Sequence, residues 1–248
     1  MATVEFSVNN GICTIALNRP DKRNAINREL SDELDAAFVK AEADSGVKVV
    51  VLKGNGPAFC SGYDMKQSYY LHGTGDEPFE WTQQQATGLL KNLVEARYLR
   101  IWNCPKPTIA QVHGATLAAG CYLQLLCDIS VAAEDASLGH PAVRWGGVSS
   151  MPLWQVALGP KRARYLLLTG RTISGKEAER IGLVSLAVPA GELETCVHQI
   201  ATEIAAIPSE GVMHHKEVLN TDLEIMGVGA MFRYHATQNA LGRYYRYR

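Results

Sequence analysis

The 248-residue sequence has no C-x-x-C pair, no apolar run near the roughly 20 residues of a membrane span and no charge imbalance. Each absence excludes something. Its six cysteines, Cys13, Cys60, Cys104, Cys121, Cys127 and Cys196, are scattered, mostly in apolar strand or helix contexts, so buried free thiols are expected and a disulfide framework or zinc site is not. The start "MATVEFSVNNG" lacks the basic segment and apolar core of a signal peptide, so a cytoplasmic protein without a membrane partner is expected. A formal net charge of -1 leaves no electrostatic footprint for nucleic acid, and the short end "GRYYRYR" reads as a surface or interface tail. His214 and His215, adjacent on a helical pattern, cannot face one metal, and no metal site is expected. There is no G-x-S-x-G elbow, no G-x-x-x-x-G-K-[ST] phosphate loop and no H-E-x-x-H; "GNGPAF" starts like a dinucleotide loop but lacks the third glycine.

What is present is a chain with 47% hydrophobic residues and strong periodicity. "VEFSV" and "ICTIALN" are β-rich runs joined by "NNG", a hairpin signal. "RELSDELDAAFVKAEAD" puts Leu30, Leu34, Ala37, Phe38 and Ala41 on one helical face. "VKVVVLKGN" reads as a strand buried on both sides. Strand "TIAQVHG", helix "LAAGCYLQLLCD", strand "ISVAAED" and later strand "LVSLAVP" continue an α/β pattern with parallel crossovers. The pattern divides the chain into a core over residues 1–190 and a helical region over 191–248.

Two turns out of buried strands are built from small residues: "AFCSGYDM" and "GATLAAGCYL". Small residues let a ligand approach the backbone, and a helix N-terminus offers N–H groups in a positive dipole field. Two such turns facing one point would hold a carbonyl oxygen and favour it as it becomes negative. Tight packing of helix on sheet asks for the same residues, so composition leaves both readings open.

Together, "LNRPDKRNAIN", "FCSGYDM", "KPTIAQVHGATLAAG", "LLCDISVAAEDASLGHP" and "LTGRTISGKEAERIGLVSLAVP" resemble the enoyl-CoA hydratase/isomerase family, the crotonases, in order and spacing over about residues 3 to 220. The resemblance implies a crotonase (ClpP-like) fold of stacked ββα turns in two near-perpendicular sheets, a C-terminal helical layer over 191–248 that completes the pocket or the oligomer interface, and homotrimers or hexamers. It also implies an acyl thioester substrate on coenzyme A or on a carrier protein's phosphopantetheine, with no permanently bound cofactor. By the same resemblance the oxyanion hole falls on the backbone N–H groups of Tyr63 and Ala119, and the coenzyme A arm on Lys22, Arg23, Ala25, Ser61 and Asp64.

The chain departs from the family at the proton-transfer positions. The two glutamates of family hydratases correspond to Tyr122 and Ala142, and a third carboxylate position of some members corresponds to Ser150. Methyl and hydroxyl groups cannot take up an α-proton at neutral pH, so isomerisation, carbon–carbon cleavage or decarboxylation is favoured over ordinary hydration. A hydratase with atypical residues and a non-catalytic acyl-CoA binder stay open. His140 is ranked first as acid or base because an unperturbed imidazole titrates near 6.5; Glu95 comes second, because the resemblance aligns it, by its distance from "KPT", with the helix position where the family's dehalogenases place an active-site histidine, and Tyr122 third as a donor. For each, a structural or exposed role is the alternative. Tyr69 and Tyr70 fall on the loop that lines the acyl pocket in the family. Phe79, Trp81, Trp145 and Trp154 are candidates for a bulky apolar acyl site.

Overall fold

A computed structural model describes residues 2–67, 82, 84, 88 and 97–246, with side chains as far as Asn239. The opening hairpin is β1 (Val4–Asn9) against β2 (Ile12–Leu17), antiparallel with Asn9 opposite Ile12. Asn10 and Gly11 both have positive φ, 49° and 80°, which a two-residue turn matched to strand twist requires. Helix α1 (Arg28–Ala43) is capped by the Asn27 side chain, which accepts from the Leu30 N–H at 2.9 Å, and buries the five residues its periodicity marks.

Strands β3 (Val49–Gly54), β4 (Thr108–Val112), β6 (Ile129–Ala133) and β9 (Leu186–Val188) extend the sheet in the order β1-β2-β3-β4-β6-β9, and every pair after the hairpin is parallel. β3 and β4 are buried at almost every position, the result of helices covering both faces. A second sheet holds β5 (Ala115–Leu117), β7 (Ser137–Gly139) and β8 (Thr172–Ser174), in that order. After α1, further helices between strands among the described residues are α2 (Leu99–Trp102), α3 (Ala119–Leu126), α4 (Leu153–Thr169) and α5 (Gly175–Ile181). All eight residues of α3 are buried. It starts at Ala119 and not at Leu117, as the sequence pattern suggested, because Ala115–Leu117 pairs with β7.

Three helices end the chain: α6 (Leu193–Ala206), α7 (Ser209–Ile225) and α8 (Val228–Arg246), the last absorbing most of the basic terminal tail. α7 is tied to the sheet by one buried cation. The Lys216 Nζ lies 2.7 Å from Asp128 Oδ2 and 3.2 Å from Lys106 O, and the same Asp128 oxygen accepts from the Thr108 N–H and hydroxyl at the start of β4. α8 is docked by His235 and Asn239, which donate to the carbonyls of Ser149 and Val148. Among the described residues no helix is long and apolar enough to cross a membrane.

Candidate active site

The two small-residue turns meet. After β3 the chain runs beside β5: Cys60 N–H donates to Ala115 O at 3.1 Å, and Leu117 N–H donates to Cys60 O at 3.0 Å. Gly62 has φ 102°, and a Cβ there would sit 3.0 Å from Leu117 O, 3.1 Å from Ala118 Cβ and 3.5 Å from Ala119 N. A Cβ on Gly120 would lie 2.0 Å from Cys60 O, so α3 presses its first turn onto the other turn's backbone. The small residues therefore serve a close approach of two backbones. Ala118 completes the junction with φ 49° and ψ −113°, a strained conformation for a residue with a Cβ, costing of order 1–3 kcal/mol.

The orientation of the two amides follows from their neighbours. Ile26 N–H donates to Gly62 O at 2.8 Å, so the Tyr63 N–H of that same trans peptide points away from Ile26. Ala119 is the first residue of α3, and an N–H there has no acceptor within the helix. Two donors thus stand on facing turns, the pair that the family resemblance implies for an oxyanion hole.

The segments assigned to the coenzyme A arm also converge. Ser61 N–H donates to Arg23 O at 3.0 Å and Asp64 N–H to Ile26 O at 2.9 Å, so residues 23–26 lie along 61–64. Lys22 and Arg23 are exposed, while Ala25 and Ser61 are half-buried. Buried Asn24, in the left-handed region with Arg23, organises this turn: its Oδ1 accepts from Arg19 N–H, and its Nδ2 donates to Asn55 O and Ala58 O. The side chain of Asp64 is engaged with the protein. Burial raises its pKa, but the Lys66 amide, the Arg19 guanidinium at 3.1 Å and the Gln67 amide outweigh it and hold the carboxyl below its usual range. Asn24 and Arg19 carry no chemistry legible in sequence; their value lies in contacts across the fold.

Around the donors stand four rings. Tyr122, one turn into α3, stacks on His140 with centroids 5.6 Å apart, and its hydroxyl lies 3.4 Å from His140 Nδ1. Tyr98 sets its edge toward Tyr122 at 6.3 Å, and its hydroxyl is hydrogen-bonded to that of Tyr63. Tyr98 stands out through these contacts; in sequence it is one aromatic residue in an apolar helix pattern. A void of about 20 Å³ beside it, lined in part by Ile26, Leu34, Phe38 and Leu123, has room for one water.

The expectation of an unperturbed imidazole at His140 is corrected: the residue is 3% exposed, and burial pushes its pKa down to about 4. At neutral pH it is uncharged and a weak base. Cys60 is no nucleophile either, since burial pushes its thiol up to about 12. Ala142 is half-buried on the short 3-10 turn Pro141–Trp145, and Ser150 is buried with its hydroxyl unpartnered among the described residues. Trp154 is fully buried in the core and Trp145 is 65% exposed. Glu95, Tyr69, Tyr70, Phe79 and Trp81 lie outside the described residues. No cluster of metal-ligating side chains occurs among those described. A larger cleft, about 480 Å³, runs between Asn103–Pro105 and α7, lined by Met213, Lys216 and Asn220; none of the residues placed at the site lines it.

Comparison with known proteins identifies the family. The family described as enoyl-CoA hydratase/isomerase matches residues 7–238. A Rhizobium meliloti protein named "Probable enoyl-CoA hydratase" is 36% identical over 214 residues, covering 85% of this chain and 78% of its own. An enoyl-CoA hydratase/isomerase from Xanthobacter autotrophicus Py2 superposes with a TM-score of 0.90 at 33% identity, covering 98% of this chain and 87% of its own. A probable enoyl-CoA hydratase from Mycobacterium smegmatis gives 0.90 at 32% identity, over 98% and 94%. The fold is the crotonase fold, and the chain belongs to the enoyl-CoA hydratase/isomerase family.

Proposed function

We propose that the protein binds an acyl thioester of coenzyme A, polarises its carbonyl between the Tyr63 and Ala119 N–H groups, and carries an enolate-type reaction other than standard hydration. The observation that supports this reading is the junction at Gly62, where the two turns are held within van der Waals contact and both donors belong to rigid backbone. Fixed donors of this kind stabilise the oxygen as charge develops, and losing one costs roughly 10² to 10³ in rate. Lys22, Arg23, Ala25 and Ser61 hold the nucleotide arm, with Asp64 bracing the turn through Arg19.

The reaction type is argued from the groups around Tyr122. Where family hydratases are expected to carry glutamates, this chain has a phenol and a methyl, and the neighbouring imidazole is neutral. A phenol beside a neutral imidazole donates hydrogen bonds and does not abstract an α-proton at pH 7. The names of the relatives favour a second reading, hydration by atypical residues.

Incubating the protein with a panel of acyl-CoA esters in D2O, followed by mass spectrometry, separates the two. The proposal expects a decarboxylated or carbon–carbon-cleaved product from at least one ester, deuterated at the α-carbon where solvent quenches the enolate, without a mass gain of one water. Water addition as the sole outcome supports the second reading.

A further inference from the structure

Ala118 is held in its strained conformation by hydrogen bonds on both sides. Its N–H donates to Gly139 O at 2.8 Å, and its carbonyl accepts from the Tyr122 N–H at 3.3 Å, closing the first turn of α3. The second bond turns the carbonyl into the helix, so the Ala119 N–H of the same trans peptide points out of it. A residue with a Cβ keeps a φ of 49° only where its surroundings over-determine it. The aim of one oxyanion donor therefore depends on what holds Gly139.

Gly139 is clamped between β8 and the first turn of α3. Toward β8 it lies against backbone, since a Cβ there would sit 2.6 Å from Arg171 O and 3.0 Å from Thr172 Cα. Its N–H donates to Cys121 Sγ at 3.2 Å. The same sulfur donates to Thr116 O in β5 at 2.8 Å. One thiol thus bridges β5 and β7, accepting from one strand and donating to the other. Burial pushes its pKa up, so at neutral pH it keeps the proton that the bridge needs. Removing the sulfur would take an acceptor from a buried N–H, a loss that backbone relieves by shifting.

We propose that Cys121 is a positioning residue of the oxyanion hole: its thiol fixes Gly139, whose carbonyl fixes the Ala118 amide and so aims the Ala119 N–H at the thioester carbonyl. Fully buried, it acts through these neighbours. The inference rests on the acyl-CoA reading above and deepens it by naming what holds one of the two donors.

The test reads the bound carbonyl directly. Butyryl-CoA labelled with carbon-13 at the thioester carbonyl has no double bond to hydrate, and infrared difference spectra give its carbonyl stretch on wild type, Cys121→Ala and Cys121→Ser. On wild type the band is expected at lower frequency than in free butyryl-CoA, because two donors polarise it. Alanine should lose most of that downshift, while affinity falls by less than about tenfold, the size of one hydrogen bond. Serine, whose hydroxyl both donates and accepts, should restore most of it. A merely packing role would cost the variants thermal stability without moving the band. Proton NMR of the unmodified protein reads the bridge independently of any variant's folding: the Cys121 thiol proton should exchange slowly with water and show a nuclear Overhauser contact to the Gly139 amide. Absence of that contact, a downshift that survives in Cys121→Ala, or an equal loss in Cys121→Ser would overturn this proposal alone. Wild type that fails to bind butyryl-CoA, or binds it with the carbonyl band unmoved, would overturn the acyl-CoA reading and this proposal together.

Discussion

At the scale of single residues, the buried imidazole of His140 has a consequence for stability. In the unfolded chain an imidazole titrates near 6.5, whereas folded His140 takes up its proton only near 4, because burial disfavours the charged ring. Between those values the unfolded chain binds more protons than the folded one. The His140 contribution is intact above about pH 6.5 and is lost as the pH falls through 4, about 3 kcal/mol in full. His235, whose pKa burial also lowers against its bond to Ser149 O, adds to the loss in the same direction. Urea melts of wild type and His140→Gln between pH 7 and 4.5 should show the variant losing less stability; parallel curves would place the acid sensitivity elsewhere. The identities of Tyr122, Ala142 and His140 were legible in sequence. The state of the imidazole was not, because it depends on packing contributed by α3 and the Pro141 turn.

Among the elements, α3 and the strand before it explain why the chain places Ala118, Ala119 and Gly120 in succession. The helix is pressed so far onto Cys60 that position 120 has no space for a methyl. Gly120→Ala should cost about 3 kcal/mol or more and lower acyl-CoA affinity as the turns separate. Thermal melting with a binding titration reads both; unchanged melting would mean that the two backbones are less closely packed than described here. Long periodic elements such as α1 and β3 were legible because each buries a repeating set of apolar side chains. β5, β7 and β8 are three residues each, too short for alternation to register, and they were expected only through the family resemblance. The beginning of α3 was misread for that reason: β5 claims the residues that look like its first turn.

For the whole molecule, segments from distant parts of the chain, near residues 23, 62, 98, 119 and 140, converge on one junction, and the crossovers of the parallel sheet bring them there. Their order along the chain was readable as a family pattern. The contacts that make them a site, Arg19 with Asp64, Asn24 with Ala58, Tyr98 with Tyr63, come from tertiary structure and leave no periodic trace. The C-terminal helices lean on this frame through Lys216 and Asp128, and expose Val218, Leu219, Ile225 and Met226 on their outer side.

The central claim is a working oxyanion hole without the paired carboxylates of a hydratase. The measurement that tests it most directly is the steady-state rate of crotonyl-CoA hydration, followed by loss of enoyl thioester absorbance beside a hydratase that carries both glutamates. The account predicts binding of the thioester with hydration slower by roughly 10² or more, the usual contribution of a positioned acid or base. Hydration at the rate of the glutamate-bearing enzyme would contradict it.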